Sequence, residues 1–162
     1  MTKLRKLTAL PLAGALTLLL LTACSGGGGS SGPEAQAEAE VMGAIRSNPS
    51  TASLKYDDGM CNIAKETLAK ADLDADLKGS IGGYKFYNDV KYDKETSTLT
   101  LIAQYDYKDT TLEELIGYIT KNNVASNLKF NLSSNRAKVG VAAKIYKGKT
   151  YIAITLQAVK KT

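Results

Sequence analysis

From residue 33 onward the sequence predicts an α+β fold with an antiparallel sheet of about four strands and three helices. Three observations predict it. Apolar residues recur at helical spacing in three stretches, two before residue 72 and one after residue 110. Between and after them lie two pairs of runs in which apolar and polar residues alternate, each pair joined by a short turn. The apolar share of 44% is that of a globular protein with a real core, and nothing after residue 23 is apolar for long enough to cross a bilayer.

The first helix opens at Pro33, where a missing N–H costs nothing, and its Glu-rich start suits the positive end of the helix dipole. Ala37, Val41, Ala44 and Ile45 form its apolar stripe, and Asn48-Pro49 stops it. A short extended segment, Ser50 to Tyr56, carries Leu54 as a core anchor. Asp57 or Asp58 caps a second helix, with Met60, Ala64 and Leu68 on one face and an end near Asp72. Residues 72–83 combine acids with Gly79, Gly82 and Gly83 and read as loop. Those glycines match neither a Walker loop nor a dinucleotide fingerprint.

Tyr84, Phe86, Val90 and Tyr92 alternate, Asp93 to Thr96 turn, and Leu99, Leu101, Ala103, Tyr105 and Tyr107 continue, so 84–107 reads as a hairpin. Thr111-Leu112-Glu113-Glu114 is a capping box that opens a third helix on Leu112, Leu115, Ile116 and Ile119, ended by Asn122-Asn123. After a polar loop with Leu128, Phe130 and Leu132 come strands at about 137–146 and 150–159, joined at Lys147-Gly148-Lys149. Val139, Val141, Ala143 and Ile145 alternate in one. Ile152, Ile154, Leu156 and Ala158 alternate in the other.

The segment before Pro33 is of another kind. Lys3, Arg5 and Lys6 precede an apolar, Leu-rich run from Leu7 to Leu21, and Leu21-Thr22-Ala23-Cys24 matches the lipobox of bacterial lipoproteins. The expected organisation is therefore a lipoprotein signal peptide at 1–23, a lipidated Cys24 with a Gly/Ser tether at 24–32, and a single extracytoplasmic domain at 33–162. Small residues before the cut suit the peptidase, and the Cys24 thiol is the nucleophile that accepts diacylglycerol. The Gly/Ser run has no side chains to bury and behaves as a flexible coil. On this reading the chain sits at the cell membrane, lipid-anchored and facing outward. Covalent diacylglycerol and fatty acid on Cys24 are its only prosthetic group. Lipidation of Cys24 leaves Cys61 no partner within the chain, so an intrachain disulfide is excluded and Cys61, beside Met60, reads as a buried and inert thiol.

Composition narrows the chemistry. There is no histidine, which removes the usual general base near neutral pH and the commonest metal ligand. Ser-His-Asp and Cys-His catalysis and His-containing zinc sites go with it. Glu113 and Glu114 are neighbours rather than a facing acid pair, so a glycosidase has no support. Asp72, Asp74 and Asp76 alternate but lack the glycine and distal Glu of an EF-hand. No metal site is expected. Charge is divided along the chain: all 16 acids lie between Glu34 and Glu114 with 9 bases among them, whereas Leu115 to Thr162 holds 9 bases and no acid. Either the halves neutralise each other by packing or the second half presents a basic face.

Two functional classes follow. The first is a non-catalytic binding or interaction module whose surface is Tyr105, Tyr107, Lys144, Tyr146, Lys147, Lys149 and Tyr151. Its partners would be the membrane through the lipid, and an anionic envelope polymer or an envelope protein, with no nucleic acid. The second is an extracytoplasmic hydrolase that works with carboxylates or lysine, such as Asp106 or Lys108.

Three stretches are similar to the CAP superfamily (the cysteine-rich secretory, antigen 5 and pathogenesis-related domain). Val41 to Leu68, with Asp57, Met60 and Ala64, resembles the family's first two helical elements. Thr110 to Phe130, with Asn127-Leu128, resembles the segment before its second motif. Lys138 to Gln157, with Val139-Gly140-Val141, resembles its glycine-valine strand and the strand that closes the domain. The family's two cleft histidines would align near Thr67 and Val124, and its paired glutamates are not recognisable. The resemblance implies a CAP-like α-β-α sandwich that has lost its metal cleft.

Overall fold

The computed structural model describes residues 32–81, 84–105, 130–131 and 136–160. They form helices α1 (Pro33–Ser47) and α2 (Asp58–Lys70) and strands β1 (Lys55–Tyr56), β2 (Gly79–Ile81), β3 (Tyr84–Tyr92), β4 (Thr96–Tyr105), β5 (Phe130–Asn131), β6 (Lys138–Tyr146) and β7 (Lys149–Lys160). The strands make one sheet in the order β1-β6-β7-β4-β3-β2, with β5 beside β7. The class is α+β.

Long antiparallel ladders carry the sheet. Thr96 to Tyr105 pair with Val159 to Thr150, and Lys138 to Tyr146 pair with Gln157 to Lys149. Strand alternation then sorts the side chains. Leu99, Leu101, Ala103, Val139, Val141, Ile152, Ile154 and Leu156 share one face, where they bury Ala37, Val41, Met42 and Ile45 of α1. Ile102, Ala142, Tyr151 and Ala153 share the other, under Ala64 and Leu68 of α2. The two helices therefore cover opposite faces, and each fully buried aliphatic side chain contributes on the order of 2 kcal/mol.

Each helix obeys a local rule. In α1, Pro33 stands in the first turn, and at the far end Thr51 Oγ1 donates to Ile45 O (2.6 Å). In α2, Asp57 is the N-cap and accepts from Met60 N (3.1 Å), while its other oxygen meets Lys138 Nζ at 2.8 Å. This ion pair fastens the start of α2 to the start of β6, and it holds the Asp57 carboxyl below the usual aspartate range.

The sheet departs from the four antiparallel strands expected. Seven strands are described, and β1 runs parallel to β6. The segment between the helices gains its place because Lys55 N donates to Ala137 O and Asp57 N to Val139 O. Gly79–Ile81, expected as loop, pairs antiparallel with Tyr84–Phe86. Phe130–Asn131, also expected as loop, pairs with the end of β7 beyond the start of β6. The helix expected at 111–121 lies outside the described residues.

Beyond β1, the outer edge of β6 is closed by α1. Glu38 Oε1 accepts from Ala143 N (3.0 Å), and Glu34 Oε1, one turn earlier, accepts from Ile145 N (2.8 Å). Two carboxylates at i and i+4 thus take up edge N–H groups that would otherwise invite another strand.

Candidate functional site

The sharpest polar cluster surrounds the β6–β7 turn. Lys147 (φ 50°) and Gly148 (φ 72°) form a two-residue turn in the left-handed region, as a tight hairpin between twisted strands requires. The turn aims Lys147 at the segment after α2, where its Nζ lies 2.5 Å from Asp74 Oδ2. The Tyr146 hydroxyl donates to the same oxygen at 3.0 Å. Lys147 and Lys144 stand 5.1 and 5.9 Å from the Tyr146 ring centre, and Tyr146 meets Tyr151 edge to face at 6.3 Å. The Lys147 ammonium and the Tyr146 hydroxyl hold the Asp74 carboxyl below its ordinary range, and Asp74 raises Lys147 in return. Both groups are exposed, so solvent weakens the pair.

The expected binding residues divide. Lys144, Tyr146, Lys147 and Tyr151 come together, with Lys149 on the far side of the turn opposite Tyr146. Tyr151 is buried, so it supports the cluster from beneath. Tyr105 is buried on the α1 face, where its hydroxyl donates to Glu40 Oε2 at 2.9 Å. It does not belong to this surface. Tyr107, Asp106, Lys108 and Cys24 lie outside the described residues. Asp74 joins the cluster as one of the acids of the first half whose packing against the basic second half was one of the two expected outcomes of the charge division.

The alternate acids are engaged within the protein. Asp72 Oδ1 accepts from Asp74 N and Ala75 N, and Asp76 Oδ2 accepts from Asp72 N. Among the described residues no group of three or more His, Cys, Asp or Glu side chains could hold a metal ion.

A second feature is an open groove of about 280 Å³ between α2 and β3, lined on one side by Glu66, Thr67 and Lys70 and on the other by Tyr87, Asp89 and Lys91. Glu66 and Lys70 are 3.7 Å apart. Burial raises the Tyr87 phenol above its ordinary value, and the charges of Asp89 and Asp76 add to this. The groove's acids are not buried, so it offers mixed charge rather than an enclosed carboxylate pair.

Cys61 corrects an expectation. It is buried in the first turn of α2 but is disulfide-bonded, not an inert thiol. A buried apolar setting does not by itself distinguish a thiol from a half-cystine.

Comparisons of the chain with family models, with curated proteins and with solved structures found no match.

Proposed function

We propose that the chain is an extracytoplasmic lipoprotein, anchored in the cell membrane through diacylglycerol on Cys24, and that its domain from residue 33 binds a partner without catalysis. The observation that carries this reading is the order of basic residues, apolar run, Leu-Thr-Ala-Cys and Gly/Ser tether, followed at Pro33 by the first turn of α1. An address, a spacer and a folded load follow one another with no residues between them. The absence of histidine and the open, mixed-charge groove favour binding over hydrolysis. The partner is an anionic envelope polymer or an envelope protein, met by the lysines around Tyr146. In the architecture we propose, a third helix at 111–121 completes a CAP-like α-β-α sandwich, a reading supported by the placement of α1 and α2 on opposite faces.

The anchor is tested by metabolic labelling with palmitate. The native chain is expected to take up label and to fractionate with membranes, and Cys24→Ser is expected to do neither. Undiminished label in that variant removes the proposal. Intact mass under non-reducing conditions gives a second reading. The chain has two cysteines, so a lipid on Cys24 and a disulfide at Cys61 exclude one another, and the anchored form we propose carries Cys61 as a buried thiol. A mature form lighter by two hydrogens and carrying no lipid would place the chain outside the lipoproteins.

A further inference from the structure

The two edges of the sheet are treated differently. One is closed by β1 and by the Glu34 and Glu38 carboxylates. At the other, β2 pairs with β3 only through Phe86, and among the described residues no strand lies outside 88–92. Asp93 N donates to Thr96 O across the β3–β4 turn. Odd-numbered residues of β3 therefore turn their N–H and C=O groups toward β4, and even-numbered ones turn them outward. Asn88 and Val90 thus present backbone donors and acceptors at the sheet's edge, and Asn88 is exposed.

The side chains on this edge are complementary to a copy of themselves. Asp89 and Lys91 share the α2 face of the sheet, and Val90 lies on the α1 face. Two copies continuing one sheet about a twofold axis must place like-numbered parities opposite each other. Centred on Val90, the antiparallel pairing sets Asp89 opposite Lys91 of the second copy, twice. Its outward-turned residues fall at hydrogen-bonded positions, with Val90 opposite Val90 of the second copy. The charged residues meet in the closer, non-hydrogen-bonded positions. Centred on residue 89 the same strands would oppose two aspartates, and centred on residue 91 two lysines.

We propose that the β3 edges of two copies pair antiparallel about Val90, with Asp89 of each opposite Lys91 of the other, making one continuous sheet. Five residues of edge form a small interface, below the roughly 1,000 Å² of tight complexes, so the association is weak and is best captured covalently. The test places a photoreactive benzoylphenylalanine at Asn88 of the full-length chain and irradiates cells that express it. A product of twice the chain's mass is expected. Asp89→Lys or Lys91→Asp alone is expected to cut its yield at least about fivefold, a change of roughly 1 kcal/mol. The double variant is expected to restore it, as is co-expression of the two single variants, because both arrangements re-create opposite charges. A yield indifferent to the single reversals, a double variant that stays low, no product, or a product only with a different protein would each overturn the proposal.

Discussion

Glu38 carries two opposing demands. Its carboxylate takes the Ala143 N–H at the edge of β6, yet it is only 8% exposed. Burial pushes its pKa above the usual glutamate range, against the opposing pull of the Ala143 N–H and the positive charge of Lys65, while Glu34 pushes it further up. The folded state then holds a proton that the unfolded state has already released. Stability is expected to rise as pH falls through the raised folded-state value, and to stop rising below the ordinary glutamate range. Glu38→Gln keeps a carbonyl for Ala143 N–H and removes the buried charge, so it is expected to match or exceed the native stability near neutral pH and to lack this acid-side gain. Glu38→Ala leaves the N–H without its acceptor and is expected to lose about 1–3 kcal/mol. Urea unfolding between pH 4 and 8 checks all three, and a Gln variant as weak as the Ala variant would refute the account.

Helix α2 owes its position to the absence of a side chain on β6. A Cβ at Gly140 would collide with the backbone of Met60 and Cys61, so the helix rests directly on the strand. Gly140→Ala must push α2 off the sheet and strain the Asp57–Lys138 pair. A loss of about 3 kcal/mol or more is expected by chemical denaturation, since the obstacle is backbone and cannot rotate away. Gly148→Ala meets open space and only the cost of its left-handed φ, about 1–2 kcal/mol. Equal losses at the two positions would contradict the close approach. This contact was not legible in the sequence, where Gly140 stood out only through a family resemblance. What local rules govern was legible: Pro33 and Asn48 bound α1, an aspartate at 57 or 58 caps α2 (the structure selects Asp57), and alternation finds β3, β4, β6 and β7 within a residue or two. The short strands β1, β2 and β5 were not, because two or three residues acquire strand geometry from a partner rather than from their own periodicity. Likewise Tyr105 and Lys147 look alike as surface candidates until register puts one under α1 and the other on a turn.

At the scale of the molecule, the division of charge along the chain becomes a set of contacts across it. The basic strands β6 and β7 lie within the acidic half's elements, and Lys138–Asp57 and Lys147–Asp74 are ion pairs between the halves. Neutralisation is therefore local. Asp74 sets how much of the Tyr146 cluster can attract an external anion, because its Oδ2 holds both the Lys147 ammonium and the Tyr146 hydroxyl. Removing that charge should release one lysine to the outside while leaving the hairpin turn intact. With residues 24–162 and vesicles of defined anionic lipid content, Asp74→Asn is expected to strengthen binding about fivefold at low salt, since each lysine near a charged surface contributes about 1 kcal/mol. Charge reversal at Lys144, Lys147 and Lys149 is expected to abolish it. Raising the ionic strength should bring native and Asp74→Asn proteins together, as screening shortens the reach of exposed charges to about 8 Å at 0.15 M. Binding that is unaltered by Asp74→Asn and insensitive to salt would make the Lys147–Asp74 pair a fastening between α2 and the β6–β7 hairpin, with no part in recognition.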